Sequence, residues 1–140
     1  MQVLSFDSGA TTGWAYLDTV RKMLWFGEFE NWQKVEELMA PPRGLPPQVD
    51  VVVAEEFRLY PAMGQRLMWS VMVASEVNGV IKFLAECYNL PLSMQSAAMA
   101  KKVVLVDKLR MKHAEDAVRH ALAFLKREGL LKEPFSDLIV

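Results

Sequence analysis

Residues Val3 to Tyr16 read VLSFDSGATTGWAY. An apolar run drives straight into Asp7, turns at Ser8 and Gly9, and opens a second run at Gly13-Trp14-Ala15. Leu4 and Phe6 alternate with Val3, Ser5 and Asp7, so the last three share one face of a strand and Asp7 leaves it at the carboxyl end. A carboxylate at the end of a buried strand is costly to leave unpaired. It is either ion-paired or placed to hold a cation.

Outward from this stretch, Gly13 to Leu17 and Met23 to Phe29 read as two further strands, joined through a polar turn at Asp18 to Lys22. Asn31 is placed to cap a short helix in which Trp32, Val35 and Met39 recur at helical spacing. The segment APPRGLPPQ ends that helix, its four prolines and one glycine predicting a stiff connector. Val49 to Glu56 is then a continuous apolar run, predicted as a buried central strand, and it too ends in acid, Glu55 and Glu56. Pro61 to Leu90 carries the longest helical signal. Pro91 to Ser96 suits a short strand, and Lys101 to Asp107 a loop or short helix. Asp107 is a candidate cap for a final helix, KHAEDAVRHALAFLKRE, which should stop at Gly129. The order is that of an α/β fold with a mixed sheet.

A length of 140 residues with 52 % hydrophobic content predicts one globular domain spanning residues 1–140. The single cysteine, Cys87, excludes an internal disulfide framework. The start, MQVLSFDSG, has no basic region followed by an apolar run, so a cytoplasmic location is expected. Ser70, Ser75, Glu76, Asn78, Lys82 and Glu86 interrupt the longest apolar segment too often for a membrane span. The helix from Arg66 to Leu90 nonetheless has little polar face, so it is covered on both sides or lies in an oligomer interface; a homodimer through this helix is expected. Its methionines and tryptophan read as core or dimer surface rather than as a ligand box. A net charge of −1 argues against a general cation-driven nucleic-acid binder. The sum hides a segment in which Lys101, Lys102, Lys108, Arg110, Lys112, Arg119, Lys126 and Arg127 gather around only three acids.

On the final helix Ala114, Ala117, Val118, Ala121 and Leu125 form an aliphatic stripe suited to a sheet. His113, Asp116 and His120 fall at i, i+3 and i+7 on another stripe, while Glu115 sits about 100° of rotation from Asp116 and should point elsewhere. Acidic positions thus end two strands and ride one helix. Carboxylates with an imidazole form an oxygen-rich set that suits Mg²⁺ or Mn²⁺ better than zinc. Glu55 and Glu56 must face opposite ways if the strand is regular, so only one of them can join Asp7.

The order FDSGATTGWA, VVVAEEF, KHAEDAVRHAL resembles the RuvC-like Holliday junction resolvases of phages and bacteria, within the RNase H-like (retroviral integrase) superfamily, over nearly the whole chain. The resemblance implies an RNase H-like fold: a mixed five-stranded sheet, three antiparallel strands followed by parallel additions, flanked by helices. It implies Asp7, Glu55, His113 and Asp116 as catalytic residues and metal ligands, with Glu56 the alternative to Glu55; the family's acid directly follows the apolar run, which favours Glu55. Ser8 stands where bacterial members usually have proline. The implied chemistry is phosphodiester hydrolysis with two Mg²⁺ or Mn²⁺ ions about 3.5–4 Å apart. Asp7 would bridge both ions, Glu55 would hold one and Asp116 the other, and His113 would be a ligand or handle the proton of the attacking water. The implied result is paired symmetric nicks in a four-way DNA junction, leaving 5′-phosphate and 3′-hydroxyl ends. Lys101, Lys102, Lys108, Lys112, Arg58 and Tyr60 are the candidate contacts to DNA.

Plainer readings stand beside these. A strand-end Asp before glycine is often only a turn former, one of the two glutamates is a solvated strand end, and His120 reads as packing or a hydrogen-bond donor. DSGATTG is also similar to the phosphate-binding hairpin of the actin and sugar-kinase superfamily, but that architecture needs two lobes and a second such loop. A catalytically silent module that recognises branched DNA, and another RNase H-like nuclease acting on RNA–DNA hybrids, remain as alternatives.

Overall fold

The structure, a computed structural model, describes residues 1–40, 48–57, 65–105 and 109–131, with 65–71 as backbone alone. β1 (Gln2–Asp7) lies at the centre of a five-stranded sheet of order β3-β2-β1-β4-β5. On one side β2 (Thr12–Asp18) pairs antiparallel with it, Asp7 opposite Gly13, and β3 (Met23–Phe29) pairs antiparallel with β2. On the other side β4 (Val51–Glu55) and β5 (Leu92–Gln95) add in parallel. The β2–β3 turn is closed by Asp18, whose Oδ1 accepts the amides of Val20 and Arg21, with Lys22 in the left-handed region at φ 55°. This is the expected mixed sheet, three antiparallel strands and two parallel additions.

Strand alternation sorts the core into two layers. Leu4, Phe6, Tyr16 and Val52 pack under α1 (Gln33–Met39) and α2 (Gln65–Cys87). Val3, Ala15, Leu17, Val51 and Val53 pack under α4 (Lys112–Arg127). Helices on both faces explain why β4 is apolar on both. Each fully buried Val or Leu in these layers contributes about 1.5–3 kcal/mol.

α4 lies unusually close to the sheet. Ala114, Ala117 and Ala121 are fully buried, and a Cβ on Gly13 would fall 1.9 Å from the carbonyl oxygen of His113. The buried Ser5 hydroxyl donates to the Ala117 carbonyl at 2.6 Å and fixes the helix in register on β1. At the other end, Gly129 takes φ +72° and the Leu130 amide returns to the Leu125 carbonyl at 2.9 Å, closing the helix where the sequence stops it.

Two expectations change in detail, on the helix after β5 and on the start of β4. The short helix α3 is Ala97–Lys101, ahead of the predicted 101–107 segment. Asp107 lies outside the described residues; in the first turn of α4 the amides of His113 and Ala114 are met by Glu28 Oε1 of β3 at 2.9 and 3.4 Å. β4 begins at Val51 rather than Val49 because Asp50 turns its carboxylate back to the Gln2 amide at 2.7 Å. Among the described residues of α2, Ala74, Asn78, Ile81 and Ala85 are buried, while Met72 and Phe83 are exposed. The proline-rich 41–47 segment lies outside the described residues. No helix among the described residues is long and apolar enough to cross a membrane.

Candidate active site

Three parallel strands end side by side in polar residues: Asp7 on β1, Glu55 on β4 and Gln95 on β5. Phe6 pairs with Ala54 and Glu55 with Gln95, so the three positions form a row at the carboxyl edge of the sheet. Two residues on from Ser5 and Val53, Asp7 and Glu55 turn to the α4 face. Their carboxyl groups lie close enough to act on each other.

α4 covers the row. His113 Nδ1 stands 3.5 Å from Asp7 Oδ2, and two turns later His120 Nε2 stands 3.8 Å from Glu55 Oε2. His120 is almost completely buried, and Gln95 Nε2 fixes it from β5, at 2.9 Å from its carbonyl oxygen and 3.3 Å from its Nδ1. Gln95 Oε1 is buried with no hydrogen-bond partner among the described residues. Asp116 lies near enough for its charge to act on Asp7, yet its Oδ1 is held by Arg119 Nη1 at 3.0 Å. Arg119 also binds Glu115 at 2.7 Å, and Glu115 accepts the Leu109 amide at 3.1 Å, so Glu115 does point away from the row.

The electrostatics follow from this crowding. Burial pushes the Asp7 carboxyl up to about 8, helped by the nearby Glu55 carboxyl and then by the charges of Asp116 and Glu28. Burial also works to raise Glu55, but the neighbouring His120, Asp7 and Lys101 outweigh it and hold Glu55 below its ordinary value. The two carboxyl groups are thus driven apart, Asp7 up and Glu55 down.

The fold superposes on known structures. A structure of Thermus thermophilus RuvC matches with a TM-score of 0.67 at 18 % identity, over 94 % of this chain and 99 % of that chain. A second, of T. thermophilus RuvC in complex with Holliday junction substrate, matches with a TM-score of 0.65 at 16 % identity, over 94 % and 98 %. The fold is RuvC-like. No family model matches the chain, and no curated protein matches it in sequence.

On this RuvC-like fold the structure brings Asp7, Glu55 and His113 together, with Asp116 at the margin. It turns Glu56 outward: the side chain is exposed, and its amide continues the ladder to the Gln95 carbonyl at 2.7 Å. Among the described residues no three His, Cys, Asp or Glu side chains converge as a ready cation cage. The donor chemistry nevertheless fits a hard divalent ion: the Asp7 and Glu55 carboxyl groups end neighbouring strands side by side, with Asp116 near enough for its charge to act on Asp7. Lys101 and Lys102 are exposed at the end of α3, and Lys112 is exposed at the start of α4. Arg58, Tyr60 and Lys108 lie outside the described residues.

Sequence reasoning passed over Gln95 and Glu28 and read His120 as packing or a hydrogen-bond donor rather than as a member of the site. Gln95 ends its strand as Asp7 and Glu55 end theirs, a signal that was present but carried no charge. Glu28 reaches His113 across 85 residues of chain, which no local pattern reports.

Proposed function

We propose that this protein is a metal-dependent endonuclease that resolves four-way DNA junctions by paired symmetric nicks. The observation that carries the reading is the adjacency of Asp7 and Glu55 at the ends of neighbouring parallel strands, beneath His113 and Asp116, on a RuvC-like fold. In this reading Asp7, Glu55 and Asp116 would hold two Mg²⁺ or Mn²⁺ ions, which would supply an activated water and neutralise charge on the scissile phosphate. His113, half-exposed beside Asp7, is placed to take the proton of that water, while buried His120 orients Glu55. Lys101, Lys102 and Lys112 then meet flanking phosphates. The products carry 5′-phosphate and 3′-hydroxyl ends.

A homodimer would present two such sites to a two-fold symmetric junction. Its support is the outer side of α2, where Met72 and Phe83 are 49 % and 66 % exposed three turns apart on one stripe, with open space above Gly79 between them.

The test is cleavage of a synthetic four-way junction, a linear duplex and an RNA–DNA hybrid with Mg²⁺ or Mn²⁺, wild type against Asp7→Asn. Paired nicks in the junction, lost in Asp7→Asn, are expected. Cutting of the hybrid alone would move the protein to another RNase H-like activity, and junction binding without cutting would make it a recognition module.

A further inference from the structure

The hydrogen-bonded ladder between β1 and β4 ends at Phe6 and Ala54, one residue short of the two acids. Beyond that pair the strands no longer set the separation of residues 7 and 55. The next restraint comes from the opposite face of the sheet. Asn78 of α2, 5 % exposed, accepts the Ser8 hydroxyl on Oδ1 at 2.6 Å and donates from Nδ2 to the backbone carbonyl of Glu55 at 2.7 Å. Ser8 is the residue after Asp7, and Glu55 is the other acid. One buried amide therefore spans both strand ends where the ladder stops.

The chemistry of the bridge is specific. The carbonyl needs a donor and the hydroxyl here needs an acceptor, and a side-chain amide offers both from one planar group. Both bonds are short, and the Ser8–Asn78 bond is buried, so losing it leaves a buried polar atom unmatched. The bridge also accounts for Ser8: its hydroxyl, tied to Asn78, secures the turn after Asp7.

We infer that Asn78, acting through Ser8, is a positioning residue that sets the spacing of the Asp7 and Glu55 carboxyl groups for a divalent cation. The inference rests on the nuclease reading for the identity of the ligand. It concerns the support of the site and not its ligands, since Asn78 approaches from the face opposite α4 and binds backbone and hydroxyl rather than carboxylate. Supporting contacts of this kind decide how well a cation site is preformed.

The test uses the full chain and Mn²⁺ alone, titrated by calorimetry, with thermal melting as the control for folding and the Mn²⁺ dependence of junction cleavage as a second readout. Asn78→Leu, similar in size and without polar atoms, is expected to weaken Mn²⁺ binding at least about 10-fold, and Ser8→Ala about 3-fold. Half-saturating Mn²⁺ for cleavage should rise in parallel, while the rate at saturating Mn²⁺ falls less. In the double variant Ser8→Ala should add nothing to Asn78→Leu, because the hydroxyl acts through the amide. A purely structural role would lower the melting temperature and leave the Mn²⁺ affinity of the folded protein unmoved, and that result overturns the inference. Should Asn78→Leu not fold, Ser8→Ala decides by the same criterion. Wild type that binds Mn²⁺ but cuts nothing removes the nuclease reading and leaves the positioning role to be judged on affinity. Wild type that binds no Mn²⁺ overturns both.

Discussion

Asp7 and Glu55 end adjacent parallel strands one residue beyond the Phe6–Ala54 pair, and both carboxyl groups face α4. Burial first and then Glu55 push Asp7 up to about 8, while His120 and Asp7 hold Glu55 low. In the proposed function a divalent cation would take the place of the Asp7 proton.

That exchange has a consequence for stability. The folded-state value of Asp7 lies above the ordinary 3.8. The stabilisation due to its protonated form is therefore complete below that value and is lost as pH climbs through about 8. Without divalent ions, Asp7→Asn should melt higher than wild type, with a gap that widens from pH 5 to pH 8.5 and reaches about 3 °C or more. Added Mn²⁺ should reverse the order at pH 8 by stabilising wild type alone; at 100 times its Kd a ligand adds about 2.7 kcal/mol. Thermal melts at four pH values, with and without Mn²⁺, check both halves.

The neighbouring glutamates should separate cleanly. Glu55 faces Asp7 and His120, whereas Glu56 is exposed on the other side of the strand. Glu55→Gln is expected to lower metal-dependent cleavage by about 100-fold or more, the scale of losing a group that stabilises transition-state charge. Glu56→Gln should remain within about 3-fold of wild type, as expected for a surface change worth a few tenths of a kcal/mol. Equal losses in the two variants would show that the strand end re-forms when substrate binds.

These relationships were unequally legible in the sequence. Alternation in VLSFD was enough to put Ser5 and Asp7 on one face, and the apolar run before Glu55 was enough to make β4 central, because both are consequences of a two-residue period. The alanine stripe likewise gave away which side of α4 meets the sheet. Parity alone could not choose between Glu55 and Glu56, since a bulge at the strand end reverses it; the choice became visible only in the ladder from Glu56 to Gln95. Gln95, Glu28 and Asn78 were hidden for a different reason. Each acts through a hydrogen bond between elements distant in the chain, and an amide or carboxylate in such a role looks the same in sequence as one facing water.

Gly13 offers a test of how α4 is seated. A methyl group there would meet the His113 carbonyl oxygen at 1.9 Å, its carbon at 2.0 Å and the Ala114 nitrogen at 2.5 Å, all of them backbone atoms of a helix fixed by Ser5 and Glu28. None of these atoms can swing aside as a side-chain tip would. Gly13→Ala should therefore cost about 3 kcal/mol or more and lower the melting temperature by about 10 °C. It should also move His113 away from Asp7, so activity should fall further than the folded fraction does. A variant that melts within about 2 °C of wild type would mean that α4 is seated less tightly than its contacts indicate.

Asp116 is held between two demands. Its charge reaches Asp7, but its Oδ1 is bonded to Arg119, which is itself anchored through Glu115 to the Leu109 amide. If Asp116 serves the second cation, every binding event must first separate it from a guanidinium 3.0 Å away. Arg119→Gln removes that competitor, so half-saturating Mn²⁺ for cleavage should fall by about 3-fold or more, a difference of under 1 kcal/mol and in keeping with a partly exposed pair. For the same reason the melting temperature should shift by no more than about 3 °C. The opposite movement, a higher Mn²⁺ requirement, would mean that Arg119 aims Asp116 at the site instead of holding it back, and Lys in its place should then restore part of the loss.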